Sequence, residues 1–161
     1  MKNVEMIQNY NNLDAMRKVE ADYYKENKKQ LFAGRVQVMY AMKKNMAEFL
    51  NKLAPYFAAL GELDKEYRDE EKEKAVYDEA VKQFEKKKHK SMVESTDPGK
   101  EPVMQEIFKA GKSKEEYEEK RRELLEIDVK DVNIHKIKVD SMDGLELSSD
   151  CLGVFMFMLE E

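Results

Sequence analysis

The strongest pattern in the chain lies between residues 39 and 67, MYAMKKNMAEFLNKLAPYFAALGELDKEY. Apolar residues recur there at alternating spacings of three and four, the period of a single helix face followed over four heptads. The pattern predicts one helix from about residue 35 to residue 67, with another segment covering this apolar seam. The seam consists of Met39, Met42, Met46, Phe49, Leu53, Tyr56, Leu60, Leu63 and Tyr67.

Three residues modify this prediction. Leu50 and Phe57 widen the apolar stripe beyond a strict two-stranded seam, so a bundle or a helical hairpin fits better than an isolated coiled coil. Pro55 lies inside the pattern and removes one backbone donor. Because the heptad phase continues across it, we expect a kink at Pro55 and not the end of the helix.

Helical patterns also flank the seam. The first thirty residues predict a helix with Leu13, Met16, Val19 and Tyr23 on one face. Residues 62–97 contain no Gly or Pro, and acid-before-base pairs at four-residue spacing favour continued helix there. Residues 68–74 carry no apolar side chain, which leaves a turn and an exposed helical stretch as alternatives.

A loop and a further helix follow. The stretch STDPGKEP at residues 95–102 is rich in turn-forming residues and predicts a loop. Ser113, followed by Glu116, has the spacing of a capping box and predicts a helix that continues to about Glu126.

Beyond residue 126 the period changes from helical to alternating. Residues 131–139 are rich in β-branched side chains and predict a strand, and Asp143-Gly144 predicts a turn before a short return strand at 145–147. A last helix would then carry Leu152, Phe155, Met156 and Leu159. We therefore expect a mainly α protein: a long helical hairpin or coiled-coil arm over residues 1–126, and a small C-terminal α+β unit over residues 127–161 packed on the arm.

Composition excludes several classes of protein. The 161 residues are 39% charged, with a net charge of −5, and include one Cys and two His. So few soft ligands argue against a disulfide framework and a zinc site, and we expect no metal or cofactor. The longest apolar run, Cys151–Leu159, is too short to span a membrane. With no nucleophile motif or phosphate loop, we expect a non-enzymatic protein. The single Cys and the lack of a secretory signal predict a reduced, cytoplasmic compartment.

The last predicted helix has apolar residues on more than one side. If one stripe packs on the strand, Val154, Phe157 and Met158 remain as partner-binding candidates. Either the arm covers these side chains, which we favour, or they form a contact surface for a partner protein or a second copy of the chain.

The only basic run is KKKHK at residues 86–90. Lys86, Lys87, Lys88 and Lys90, with Lys82 one turn earlier, are candidates for phosphate contacts. The run has no accompanying exposed aromatics or reading motif. We therefore favour a solvated helix end, whose lysines complement the helix dipole, over nucleic-acid binding.

The order of elements resembles a family of small phage and prophage proteins known only as a domain of unknown function. The likeness rests on Lys-Lys-Asn-Met at residues 43–46 before the heptads, Tyr67, Glu-Leu-Leu-Glu at 123–126, the β segment at 132–139 and Leu-Glu-Leu-Ser at 145–148. The resemblance implies a phage origin and a role in protein–protein interaction. Such a protein would be a host-directed inhibitor of a bacterial defence complex, or a morphogenesis or virion component.

Overall fold

The computed structural model describes residues 1–94, 97–145 and 147–160, without the side chains of Met92 and Glu94. Residues 95 and 96 of the predicted loop and residue 146 of the predicted return strand lie outside this part. Within it the chain is mainly α-helical, as the sequence predicts. The helices are α1 (Asn3–Asn27), α2 (Val36–Tyr67), α3 (Glu70–Glu94), α4 (Lys114–Glu126) and α5 (Ser149–Gly153).

Helix α2 confirms the central prediction. It runs without interruption through Pro55 and ends at Tyr67. The next helix starts at residue 70, so residues 68 and 69 form the break that the sequence left open. Asp69 explains where α3 begins, because its carboxylate accepts a hydrogen bond from the backbone N–H of Lys72 at 3.2 Å. No helix among the described residues is long and apolar enough to cross a membrane.

The chain divides into two compact units, whose boundaries differ from the predicted division at residue 126. Unit 1 combines Met1–Ala58 with Glu123–Glu161, and unit 2 is Ala59–Arg122. The C-terminal segment thus shares a unit with α1 and most of α2. In unit 1, α1 buries Met6, Leu13 and Met16, whereas Val19, predicted on the same face, is 43% exposed.

The C-terminal segment has less regular structure than predicted. The strand expected over 131–139 is reduced to β1 (Ile137–Lys138), which pairs in parallel with β2 (Leu159–Glu160). The last helix ends at Gly153, and a 3-10 turn follows at Met156–Met158. Phe155 and Met158 are fully buried at a spacing of three, which suits a 3-10 turn, and Met156 is 68% exposed.

Unit 2 is organised around the break between α2 and α3. Residues 107–109 pair with residues 67–69: the N–H of Asp69 donates to the carbonyl of Ile107 at 2.7 Å, and that of Lys109 donates to the carbonyl of Tyr67 at 2.9 Å. Ser113 caps α4 by accepting from the N–H of Glu116 at 3.1 Å. Residues 97–107 form neither helix nor strand, and Val103 is 81% exposed.

Candidate partner-binding surface

Helix α2 has an inner face, which the protein covers. Six of the nine predicted seam residues in this helix belong to the part of α2 in unit 1, and five of those six are buried. They are Met42, Met46, Phe49, Leu53 and Tyr56, with Met39 half-buried. Phe49 is fully buried, and its ring centroid lies 5.6 Å from that of Phe157. The predicted seam is therefore the core-facing side of α2.

The opposite side of α2 has an unusual composition. Between residues 47 and 58 the helix exposes seven side chains, and none of them carries a charge. They are Ala47, Leu50, Asn51, Ala54, Pro55, Phe57 and Ala58. We call this set the outer face. Its two large members, Leu50 and Phe57, are 47% and 49% exposed.

The outer face differs from an ordinary solvated helix surface. Since 39% of the chain is charged, seven successive exposed positions without a charge are unexpected on a helix surface that faces water. The two charged residues within this stretch, Glu48 and Lys52, are half-buried, and exposed charges occur before it at Lys43 and Lys44 and after it at Glu62. An exposed helix face of this kind, with Asn51 as its one polar member, is typical of a surface that binds another protein.

Asn45 fixes the orientation of α2 from the inner side. This fully buried amide accepts a hydrogen bond from the backbone N–H of His135 at 2.7 Å and donates to the carbonyl of the same residue at 3.0 Å. One turn further along, the Glu48 carboxylate accepts from the N–H of Asn133 at 3.0 Å. These contacts hold the extended segment at 133–135 against α2, so the outer face is carried by a fixed helix.

The described residues of unit 2 contain a network of ionisable groups that is structural. Glu73, 2% exposed, accepts two hydrogen bonds from Arg68 at 2.9 and 2.7 Å and one from the backbone N–H of Ile107 at 2.9 Å. The ion pair with Arg68 lowers the pKa of Glu73 despite its burial. Because these groups satisfy one another's hydrogen-bonding capacity, they stabilise the break between α2 and α3.

Tyr117 forms a second buried contact in the same unit. Its hydroxyl donates to the Asp64 carboxylate at 2.6 Å. Burial, together with this hydrogen bond, raises the pKa of Tyr117 to about 12. The ring packs against Phe108 and Tyr67, with centroids at 5.5 and 6.0 Å. Tyr117 is therefore the anchor of α4 in this unit.

The three C-terminal partner-binding candidates have different surroundings. Met158 is fully buried, and its sulfur lies 3.5 Å from the Asn45 amide nitrogen, so its assignment to a contact surface is wrong. The 3-10 turn directs the Met158 side chain into the core, whereas the predicted helix would have left it available to a partner. Val154 and Phe157 are half-buried. The packing of Phe157 on Phe49 supports cover within the chain.

Phe157 also borders an open groove in unit 1, with a volume of about 630 Å³. One wall of this groove is the polar side of α1, and the other is the C-terminal segment with the exposed Met156. The lining residues include Glu5, Gln8, Asn9, Asn12, Gly153, Met156 and Phe157. The groove is more polar than the outer face, because four of its lining residues have polar or charged side chains.

The lysine run lies on the second half of α3. Its five lysines are all exposed to solvent: Lys82, Lys86, Lys87, Lys88 and Lys90. Lys82, Lys86 and Lys90 follow one another at four-residue spacing and share one side of the helix. The first half of α3, residues 70–79, carries five acids against two lysines. The last turn of α3, residues 91–94, contains no basic residue, so the lysine run lies before the helix end and the predicted complement to the helix dipole is not found there.

The described part of the chain contains no group of three His, Cys, Asp or Glu residues that could hold a metal ion. Comparison with known proteins gave no match to any protein-family model, curated protein or solved structure. The assignment of the outer face as a binding surface therefore rests on the geometry of the described residues alone.

In the sequence, Leu50 and Phe57 stand out as apolar, but their spacing suits a wider buried stripe. The second three-and-four repeat, through Ala47 and Ala54, was the signal that could have separated the two faces.

Proposed function

We propose that this chain acts by protein–protein interaction and that the outer face of α2 is its docking surface. The observation that carries the proposal is the uncharged composition of the seven exposed residues from Ala47 to Ala58. Helices commonly bind partners through such a stripe, with anchors spaced three, four and seven residues apart. Leu50 and Phe57, seven residues apart, are the two anchors.

The biological setting of the proposal rests on the resemblance to phage proteins. A non-enzymatic phage protein that binds through one helix face suits two roles: a host-directed inhibitor of a bacterial defence complex, or a morphogenesis or virion component. In the first role the protein acts in the cytoplasm of the bacterial host, and in the second it is also found in the virion. The identity of the bound protein distinguishes the two roles.

Site-specific photo-crosslinking in bacterial cells tests the docking surface. A photoreactive residue at Ala54, in the centre of the outer face, should crosslink to a defined protein, and Leu50→Glu in the same chain should abolish the product. The matched control is Val76→Glu, since Val76 on α3 is 48% exposed and lies outside the outer face. A photoreactive residue at the exposed Ala75 should give no product. Equal crosslinking from Ala54 and Ala75 would contradict the proposal.

Nucleic-acid binding is the second candidate function, and the lysine run of α3 is the observation that favours it. If these lysines hold phosphates, the affinity for duplex DNA should fall steeply with salt, at a log–log slope near −0.9 per contact. We expect no measurable duplex binding at physiological salt. Micromolar binding that is lost when Lys86, Lys87, Lys88 and Lys90 are all changed to Glu would place this function first.

A further inference from the structure

We propose that a groove in unit 1 binds single-stranded nucleic acid, with one base against the ring of Tyr40 and backbone phosphates at Lys44 and Lys138. We call it the Tyr40 groove, and its volume is about 290 Å³. The residues that line it include Gln37, Tyr40, His135, Lys136, Lys138 and Glu160. All of them belong to unit 1, so the groove forms within one compact unit. This activity is separate from the docking of a protein on the outer face and from the lysine run of α3.

Two exposed aromatic rings meet at the Tyr40 groove. Tyr40 is 49% exposed, and its ring centroid lies 5.0 Å from that of the exposed His135, with an angle of 79° between the ring planes. Because Asn45 binds both backbone groups of His135, the two rings have a defined arrangement before any ligand binds. Proteins that bind single strands stack bases on exposed aromatic rings, since every base has a π face.

The lysines at the groove come from two distant parts of the sequence. Lys136 and Lys138 line it, and the Nζ of Lys44 on α2 lies 5.5 Å from the centroid of the Tyr40 ring. Residues 131–161 contain seven acids and only two lysines, yet both of these lysines line the groove. The fold therefore places the only two lysines of an acidic segment beside an exposed aromatic ring and a third lysine.

The positive charges of the groove are available to an anion. Among the described residues, neither Lys44 nor Lys138 has an ion-pair partner. The Nζ of Lys136 donates to the carbonyl of Phe157 at 2.6 Å, which positions the ammonium without neutralising it. Glu160 also lines the groove and lies opposite Lys138 in the strand pair. This carboxylate offsets one of the three positive charges, so the groove keeps an excess of positive charge.

The size and the chemistry of the groove select a single strand. A volume of about 290 Å³ is at the small end of ligand sites, which span roughly 300–1,000 Å³, so it can hold one base but no duplex. A base inside a duplex is stacked between its neighbours and does not reach the Tyr40 ring. Lys44 lies on α2 and Lys138 on β1, so successive phosphates of one strand can each meet a cation. An anion without bases would use the lysines and leave the ring unused.

The salt dependence of binding tests the phosphate contacts. The full chain should bind a labelled oligothymidylate of about ten nucleotides in fluorescence anisotropy at low salt, with a log–log slope near −0.7 per phosphate contact. Lys44→Gln and Lys138→Gln should each weaken binding and each reduce the steepness of the slope by about 0.7. Lys86→Gln and Lys87→Gln, at exposed lysines of α3, are the matched controls and should leave both quantities unchanged. No binding at low salt, or equal effects in the two pairs of variants, would overturn the inference.

Substitution of Tyr40 tests the base contact. Tyr40→Leu should raise the dissociation constant about fivefold or more, because it removes one stacked base. Tyr40→Phe keeps the ring and should keep wild-type affinity. Tyr24→Leu, at a 51% exposed tyrosine of α1, should also keep it. Wild-type affinity in Tyr40→Leu would overturn the inference, since binding would then depend on charge alone.

Competition experiments identify the ligand. Inorganic polyphosphate of matched length carries the phosphates without the bases, so it should displace the labelled strand at least about fivefold less effectively than unlabelled oligothymidylate. A duplex of the same length should also compete less well. Equal competition by polyphosphate or by the duplex would overturn the inference. So would thymidine monophosphate that binds as tightly as the oligonucleotide, because it would show a site for a free nucleotide. None of these outcomes affects the proposed docking surface, since neither Tyr40 nor Lys138 belongs to the outer face.

Discussion

The inner and outer faces of α2 show how one helix can carry two apolar stripes with different roles. Both stripes repeat at spacings of three and four, and both include a phenylalanine and a leucine. Phe49 and Leu53 on the inner face are at most 1% exposed, whereas Leu50 and Phe57 on the outer face are about half exposed. The two faces differ in exposure because, among the described residues, only the inner face is covered by another segment of the chain. Apolar periodicity therefore identifies a surface that needs a partner and does not say whether the partner is intramolecular.

The largest difference should appear when the two phenylalanines are truncated. Phe49→Ala should lower the free energy of unfolding by roughly 3–5 kcal/mol, because it leaves a cavity beside Phe157. Phe57→Ala, the matched change on the outer face, should lower it by less than about 1 kcal/mol, because water already reaches that side chain. Urea denaturation at low protein concentration measures both. Equal losses would show that the two faces are equally covered.

The two asparagines of α2 allow the same comparison for polar groups. Asn45→Ala should cost about 2 kcal/mol, because the backbone N–H and carbonyl of His135 lose their shared partner. Asn51→Ala on the outer face should change stability by less than about 0.5 kcal/mol. Denaturant titration of the two variants measures both changes in the free energy of unfolding. A neutral Asn45→Ala would mean that the segment at 133–135 does not depend on α2 for its conformation.

A smaller effect is expected where α2 continues into unit 2 and Asp64 accepts from Tyr117. Because the folded state raises the pKa of Tyr117 to about 12, it favours the neutral phenol. The resulting stabilisation is fully present below about pH 10, the ordinary tyrosine pKa, and is lost as the pH rises towards about 12. Tyr117→Phe should therefore flatten the pH dependence of stability in this range. Tyr24→Phe, at a 51% exposed position, should keep the wild-type slope of stability against pH. An unaltered slope in Tyr117→Phe would contradict the assignment of this pH dependence to Tyr117.

The helical part of the fold was predictable because local signals agree with the structure there. The heptad seam placed α2 to within a residue, and Ser113 and Glu116 placed the start of α4. Each of these signals depends on residues within one helix or its cap. The break at residues 68–69 remained open because its cause is distant in sequence: the segment at 107–109 supplies the hydrogen bonds that the interrupted helix lacks.

The C-terminal segment was predicted less well for a related reason. Its alternating residues favour an extended backbone, but side chains of α2, and not a second strand, bind the backbone at 133–135. The segment is therefore extended without forming the strand expected over 131–139. The sequence of α2 contains a second three-and-four repeat, through Ala47, Leu50, Ala54 and Phe57, but it does not say which of the two stripes the chain covers. Leu50 and Phe57 have the residue type and spacing of core positions, and only the fold shows that nothing in the described chain buries them.

The most direct test of the two-face account is the melting temperature of Leu50→Glu, measured at low protein concentration beside its self-association and its Ala54 crosslink. We predict a melting temperature equal to that of the wild type, together with loss of association or of the crosslinked partner, because the outer face is exposed in the single chain and binds a partner. A fall of several degrees in the melting temperature would contradict it, because that result would mean that the chain itself covers Leu50.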